Sequence, residues 1–387
     1  MRKGCRNIRM MALFVLFMAV VPALGACGNV KNTPDTNSAA QQGAEGTASA
    51  EGAALAGDDA GKDAAQDEEG DASGEDTAAG SEAVQYPLTL TDQLGREVVI
   101  EKEPETLVSG YYISSSLLIA LGQQEKLVGI EAKADTRPIY ALAAPGLLKL
   151  PSVGTAKEFD LEGCAALAPD LVIVPAKLKE SIPAMEELGM TVLAVNPEDR
   201  EQFAETARLL GEATNTRERA DKLLEESGEY LAQMRAAVEK EEQPSVYLAG
   251  NSSFLSTAGG EMYQNALIEQ AGGANVAAEL SDSYWAEISY EQLLAWDPEY
   301  IILAADAEYT AESVLEDAQL AECAAVKNGQ VYQIPGNIEA WDSPVPGSVM
   351  GSLWLASVLH PQQYPADMYE QAVVDFYGQF YGFEPEI

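Results

Sequence analysis

The sequence predicts an α/β protein built from two three-layer lobes that a single long helix joins. Three observations favour this fold class. A helix–loop–strand segment occurs twice, once in each half of the chain; short apolar strands alternate with helices in both halves; and a long helical stretch separates the halves. Alternating strands and helices are typical of mostly parallel sheets that helices cover.

The repeated segment is the clearest of these signals. Its two copies span residues 160–174 and 289–303. Glu162 and Glu291 occupy the same position in each copy, in the first turn of a short helix. A proline then ends the helix, because the residue before proline avoids the helical conformation, and a run rich in Val, Ile and Leu follows as a buried strand. Two explanations of the glutamates are open: they stabilise the positive end of each helix dipole, or they present one anion per lobe to a partner.

The N-terminus has the pattern of a secretory signal peptide over residues 1–26. A basic region precedes an apolar stretch that is too short for a membrane span. The segment LGAC at 24–27 resembles a bacterial lipobox, in which Cys27 carries diacylglycerol. Two acyl chains are enough for stable anchoring to a membrane. A plain signal peptide with an incidental cysteine is the alternative.

Residues 27–85 are expected to form a disordered tether. The segment is acidic and has no aromatic residue, so it cannot bury enough apolar area to offset the entropy of ordering. The net charge of −39 argues against nucleic acid as a partner, because phosphate binding needs clustered Lys and Arg. With one histidine in the chain, no His/Cys metal cluster and no cofactor are predicted. Cys164 and Cys323 fall in different lobes, so we expect no disulfide between them.

The folded part divides into an N-terminal lobe (86–200), a helical region (201–243) and a C-terminal lobe (244–387). In the first lobe we expect Ser114 or Ser115 to cap a helix and a strand to lie near 150–154. The helical region is broken around 211–216, and its second part keeps an apolar spacing of three to four residues. We interpret that part as a strut between the lobes.

Several blocks of the chain together resemble a known family. They are TDQLGR at 91–96, LEGCAALAPDLVI at 161–173, SYEQLLAWDPEYII at 289–302 and GSLWLASVLHP at 351–361, together with the lipobox and the acidic linker. In this order and spacing they resemble the iron/cobalamin-type substrate-binding lipoproteins of ABC importers, from about Tyr86 to the end of the chain. The resemblance implies two Rossmann-like lobes with the ligand held in the cleft between them.

The resemblance also implies a function. A monomer anchored outside the cell membrane through Cys27 would capture a metal chelate (a ferric siderophore, haem or a corrinoid). It would deliver the chelate to a permease and its ATPase. Glu162 and Glu291 match the family's paired glutamates, which dock onto arginines of the permease. The other classes considered are a surface receptor of the same fold without a permease, and a secreted hydrolase. Catalysis is not expected, because no Gly-x-Ser-x-Gly nucleophile elbow is present in the sequence.

Loops at the carboxyl ends of the strands should line the cleft. Aromatic and polar side chains with one or two cations suit a large, partly apolar chelate. Arg137 is the only obvious arginine for this site, which disfavours a highly anionic siderophore. The predicted ligand-binding residues are Tyr111, Tyr112, Arg137, Thr155 and Lys157 in the first lobe, and Asn251, Ser252, Phe254, Tyr284, Trp285 and Trp341 in the second.

Overall fold

The computed structural model describes residues 84–280 and 285–387. The predicted signal peptide, Cys27 and residues 27–83 of the predicted linker lie outside these ranges, and so does Tyr284. Among the described residues, no helix is both long enough and apolar enough to cross a membrane.

The first lobe begins with a hairpin, formed by β1 (Leu88–Thr91) and β2 (Glu97–Ile100). Asp92 closes its turn: the buried carboxylate accepts a hydrogen bond from the Arg96 backbone N–H at 2.9 Å and pairs with the Arg96 guanidinium at 2.7 Å. The same carboxylate accepts from the backbone N–H of Ala194 at 3.2 Å. Asp92 therefore fastens the hairpin to the main sheet of the lobe.

That sheet has four parallel strands in the order β4-β3-β5-β6, and helices pack on both of its faces. Every residue of β5 and β6 is buried, as expected for strands covered on both sides. The strands are β3 (Leu107–Ser109), β4 (Leu127–Gly129), β5 (Leu171–Pro175) and β6 (Val192–Val195). The helices are α1 (Tyr112–Ala120), α2 (Pro138–Ala143), α3 (Leu161–Ala166) and α4 (Ile182–Glu187).

Two local predictions for this lobe are wrong. Helix α1 begins at Tyr112 without a side-chain cap, and Ser115 lies inside it. The Ser115 hydroxyl instead donates to the buried carboxylate of Glu131 at 2.6 Å, a charge-assisted hydrogen bond. The segment near 150–154 is not a continuous strand. It forms two isolated bridges, from Ser152 to Ile130 and from Gly154 to Phe159.

The helical region contains α5 (Arg200–Ala213) and α6 (Arg217–Val238), with the predicted break between them. Helix α6 has 22 residues and is about 33 Å long at 1.5 Å per residue. Arg219, in its first turn, donates to the carbonyl oxygen of Ala120 in the first lobe at 2.6 Å and to that of Phe380 near the C-terminus at 2.8 Å. The helix therefore makes hydrogen bonds to both lobes, which confirms the interpretation as a strut.

The second lobe repeats the parallel arrangement around three strands, with an antiparallel edge. The sheet order is β10-β8-β7-β11-β12, and β9 pairs with β7. Its strands are β7 (Ser245–Ala249), β8 (Ser256–Thr257), β9 (Ala274–Asn275), β10 (Ala286–Glu287), β11 (Tyr300–Leu303) and β12 (Val331–Gln333). Its helices up to this point are α7 (Tyr263–Gln270), α8 (Tyr290–Trp296), α9 (Ala311–Leu315) and α10 (Ala324–Lys327).

Two C-terminal helices, α11 (Ser348–Leu359) and α12 (Ala366–Phe380), complete the lobe. One hydrophobic cluster contains Leu117 of the first lobe together with Leu353 and Phe376 of the second, so the lobes share a core. The fold is thus two α/β lobes joined by one long helix, as predicted. The domain boundaries 86–200, 201–243 and 244–387 stay predictions.

Three buried side chains bear on the sequence predictions. Cys164 and Cys323 are both free, and they lie in separate hydrophobic clusters of the two lobes, which confirms the prediction that they form no disulfide. His360 follows α11, is buried, and its Nε2 lies 3.2 Å from the carbonyl oxygen of Gly272.

Candidate binding cleft between the lobes

A cavity lies between the two lobes, beyond the carboxyl ends of parallel strands in each. Open α/β sheets place their ligands at this edge, because the loops there vary without disturbing the sheet. The cavity encloses about 20 Å³, room for about one water molecule. Both lobes line it, through Tyr112, Ser116, Thr136, Arg137, Pro138, Ile139 and Tyr140 of the first and Asp306, Gly336, Ile338, Glu339, Ala340 and Val345 of the second.

The wall from the first lobe combines a cation with aromatic rings. The Arg137 guanidinium carbon lies 4.2 Å from the centre of the Tyr112 ring, a cation–π contact. The Tyr111 ring packs edge-on against Tyr112 at 5.3 Å between centroids. Burial raises the pKa of the Tyr112 phenol, so the hydroxyl stays a hydrogen-bond donor at neutral pH. This wall can hold a flat or partly apolar ligand and offer it one positive charge.

A buried carboxylate, that of Glu339, joins the lobes at the cavity. It accepts hydrogen bonds from the Ser116 hydroxyl of α1, from the Tyr377 and Tyr381 hydroxyls of the C-terminal segment at 2.9 and 3.3 Å, and from the backbone N–H of Gly347 at 3.0 Å. Burial, the main cause, raises the pKa of Glu339 above its usual range. Sequence reasoning missed this residue. The one available signal was a lone acid between apolar neighbours in the segment 338–341.

Trp341 is not in the cleft, contrary to the sequence prediction. It is 2% exposed, and its indole N–H donates to the Tyr377 hydroxyl at 2.9 Å. A buried Trp needs a partner for its N–H, and Tyr377 supplies one inside the second lobe. The indole therefore packs the core behind Glu339 and supports the network around that carboxylate.

Asp342 places a second buried carboxylate next to the cavity. It accepts from the Ala305 backbone N–H at 3.2 Å, and the neighbouring Asp306 lines the cavity itself. Burial, strengthened by the charge of Asp306, raises the pKa of Asp342 to about 6. The second lobe therefore contributes acidic groups to the cavity, which Arg137 lines from the first lobe.

A pH prediction follows from Asp342. Its ordinary pKa is 3.8 and its folded value about 6, so the folded state binds the proton more tightly. Its contribution to stability is therefore largest below pH 4 and is lost as the pH rises from about 4 to 6. Two pKa units correspond to about 3 kcal/mol. Asparagine cannot ionise but keeps an acceptor. As the pH rises from about 4 to 6, we therefore expect the free energy of unfolding of Asp342→Asn to increase by up to that amount relative to that of the unsubstituted protein.

Urea unfolding at pH 4, 5, 6 and 7 measures this difference. Comparing the two proteins at each pH cancels the contributions of the other titrating groups. A free-energy difference between them that does not change with pH would contradict the assignment.

Apart from Tyr284, which is not among the described residues, the other predicted ligand residues lie outside the cavity lining. Thr155 and Lys157 belong to a turn in which the Lys157 N–H donates to the Thr155 hydroxyl at 3.2 Å. Asn251 and Ser252 are exposed in the loop after β7, and half-buried Trp285 packs over Gly250 in the same loop. Phe254 is part of an aromatic cluster of the second lobe, 5.8 Å from Tyr247 and 5.9 Å from Tyr309 between centroids. Of the ten predicted residues that the structure describes, Tyr112 and Arg137 line the cavity.

The repeated segment adopts the same structure in both lobes. Asp160 caps α3 by accepting from the Gly163 N–H at 2.9 Å, and Ser289 caps α8 by accepting from the Gln292 N–H at 3.2 Å. Both helices lead through a residue of positive φ and a proline into a buried strand, as the repeat predicts.

The paired glutamates of this segment, Glu162 and Glu291, are both exposed in the first turn of their helices. Hydrogen bonds from its own backbone N–H and from Ser289 lower the pKa of Glu291, so its carboxylate stays ionised at neutral pH. Each lobe thus presents one glutamate to solvent at an equivalent place.

Two α/β lobes on a single connecting helix, with a cavity between them, define the class of bilobal binding proteins. The sequence pattern of the family described as "Periplasmic binding protein" matches residues 107–338. The chain belongs to this family.

Individual relatives extend the comparison over most of the folded part. The molybdate-binding protein MolA of Haemophilus influenzae is 25% identical over 319 residues, 76% of this chain and 90% of MolA. A cobalamin-binding protein of Halobacterium salinarum is 23% identical, over 73% of this chain and 77% of that protein. Among solved structures, a periplasmic solute-binding protein of Veillonella parvula has a TM-score of 0.69 and 25% identity, covering 77% of this chain and 94% of that one.

Proposed function

We propose that this protein is an extracytoplasmic solute-binding lipoprotein of an ABC importer. It captures a metal chelate, such as a ferric siderophore, haem or a corrinoid, in the cleft between its lobes and delivers the chelate to the permease. The observation that carries the proposal is the cavity with walls from both lobes, in a member of a family of binding proteins.

The side chains with which the first lobe lines the cavity support a ligand of this kind. Tyr112 and Arg137 offer a ring face, a hydroxyl donor and a cation, which suit a large, partly apolar complex. Relatives named for binding molybdate and cobalamin support a metal-containing solute. Because the cavity has room for about one water molecule, a chelate must widen it. Both side chains are half-buried at the cavity, so they are the groups that would move.

The permease would dock on Glu162 and Glu291. One exposed anion on a rigid, capped helix in each lobe can position the whole cleft over a transport pore. Charges of this type mainly set the rate and orientation of encounter. The relatives are named as binding proteins, which supports a role in binding and not in catalysis.

Fluorescence titration of the full chain tests the capture of a chelate. The probes are ferric hydroxamate and catecholate siderophores, haem, cobalamin and cobinamide. We expect one class to change the tryptophan emission at sub-micromolar concentration, with Trp285 next to the β7 loop as the reporter. A Trp285→Phe variant that binds with unchanged affinity but gives a smaller signal would identify the reporter. Absence of binding across all the probes would refute capture of a chelate.

Delivery is tested by reconstitution with the permease and ATPase in vesicles. Loaded protein should stimulate ATP hydrolysis. If it binds its ligand but never stimulates the ATPase, the protein is a surface receptor that works without a permease.

The lipid anchor gives a separate prediction. We expect Cys27→Ala to move the protein from the membrane fraction to the soluble extracytoplasmic fraction, because the acyl chains supply the membrane affinity. Fractionation followed by immunoblotting measures the shift, and Cys164→Ala is the control, because that cysteine is buried in the first lobe. A Cys27→Ala protein that stays in the membrane fraction would refute lipidation at this position.

A further inference from the structure

The charges around the cleft are unequal between its two walls. Within the described ranges, Arg137 is the one basic residue among those that line the cavity. Its guanidinium is already engaged with the Tyr112 ring at 4.2 Å. Asp306 and Glu339 line the cavity from the other lobe, and Asp342 accepts from the backbone N–H of Ala305, the residue before Asp306. The site therefore has one positive charge against an acidic wall.

Among the described residues, no basic side chain is paired with the acidic groups of the cleft. Glu339 is hydrogen-bonded by three hydroxyls and one backbone N–H, and none of these is a cation. Asp306 is exposed to the cavity, and no Lys or Arg of the described part of the chain forms an ion pair with it. Carboxylates that no basic side chain neutralises still repel anions and attract cations at a cleft.

We propose that the cleft selects metal complexes that are neutral or cationic and donate hydrogen bonds, and that Asp306 is the specificity-determining residue of the second lobe. A ligand of this class places an acceptor or its ring face against Arg137 and Tyr112, and its N–H or ammonium groups against Asp306. Oxyanions and polyanionic chelates are excluded. This inference rests on the proposed function and narrows its substrate class.

Matched pairs of probes that differ in charge test the inference. One pair is a ferric linear trihydroxamate with a free terminal amine and its succinylated form. The other is cobinamide and a corrinoid of the same ring in which carboxylates replace the side-chain amides. Molybdate is the oxyanion probe. Calorimetric titration of the full chain should show at least tenfold tighter binding of the cationic or amide member of whichever pair binds, and no binding of molybdate.

Substitutions then assign the effect to one residue. Asp306→Asn keeps the size of the side chain and removes its charge, so the preference within the pair should fall at least threefold. Glu308→Gln removes a charge from an exposed side chain of the same loop, outside the cavity lining, and should leave the preference unchanged.

The outcomes separate this inference from the function on which it rests. Equal or tighter binding of the anionic member, or binding of molybdate, would overturn the charge selection while solute capture stands. An undiminished preference in Asp306→Asn would overturn the role of that residue. Failure of every probe to bind would refute the proposed chelate function, and this inference with it.

Discussion

Replacing Glu162 and Glu291 together by alanine should reduce solute uptake by cells to background while leaving ligand affinity unchanged. Both side chains are exposed on the first turn of short capped helices, one in each lobe, and neither lines the cavity. In the proposed docking the permease binds one of these anions on each lobe, so removing both should prevent productive docking. Uptake of labelled ligand by intact cells, with titration of the purified variant, measures the two quantities separately.

A matched double variant controls for the loss of surface charge. Glu187 and Glu312 are also exposed, one in each lobe, on α4 and α9. Glu187→Ala with Glu312→Ala removes the same net charge away from the repeated segment and should leave uptake intact. If Glu162→Ala with Glu291→Ala instead weakens ligand binding, the glutamates belong to the ligand site, and the docking assignment is wrong.

The largest expected loss of stability comes from Glu339→Ala. The substitution leaves the hydroxyls of Ser116, Tyr377 and Tyr381 and the N–H of Gly347 without their acceptor at a buried place where the lobes meet. Each unsatisfied buried donor costs about 1–3 kcal/mol. We expect the free energy of unfolding to fall by about 3–5 kcal/mol, because several such donors lose their acceptor at once. Urea denaturation of the full chain measures this loss.

Glu339→Gln is the matched comparison, because glutamine fills the same space and keeps one carbonyl acceptor. The free energy of unfolding should therefore fall less in Glu339→Gln than in Glu339→Ala. A second variant, Tyr381→Phe, removes one donor and leaves the carboxylate with three. It should lower the free energy of unfolding by about 1 kcal/mol. Equal small losses in all three variants would show that the network does not hold the lobes together.

The class of fold could be predicted from the sequence, because it depends on local signals. Prolines, capping residues and runs of Val, Ile and Leu determine each helix–strand unit, and the structure has these units at 161–175 and 290–303. The strut was predictable for the same reason: its buried residues recur at the helical period from Arg217 to Val238. Exposure of the paired glutamates followed from their place in a first turn.

The cleft could be predicted only in part. Tyr112 and Arg137 were found because they follow strands of the first sheet, and parallel sheets bind ligands at that edge. Trp341 and Phe254 were assigned by residue type, and the structure places both among aromatic neighbours of the second lobe. An aromatic ring in a loop serves packing and binding equally well, and the sequence carries no signal that separates the two.

Sequence alone determined the two lobes, the connecting helix, the repeated helix–strand unit and the residues at its exposed first turns, since each depends on contacts between near neighbours in the chain. Only the tertiary structure decided which side chains meet at the cleft. Ser116 and Glu339 are 223 positions apart, and Tyr381 is 42 beyond Glu339. Whether a buried acid finds hydroxyl partners depends on how the lobes pack, because no local pattern encodes a contact over such a separation.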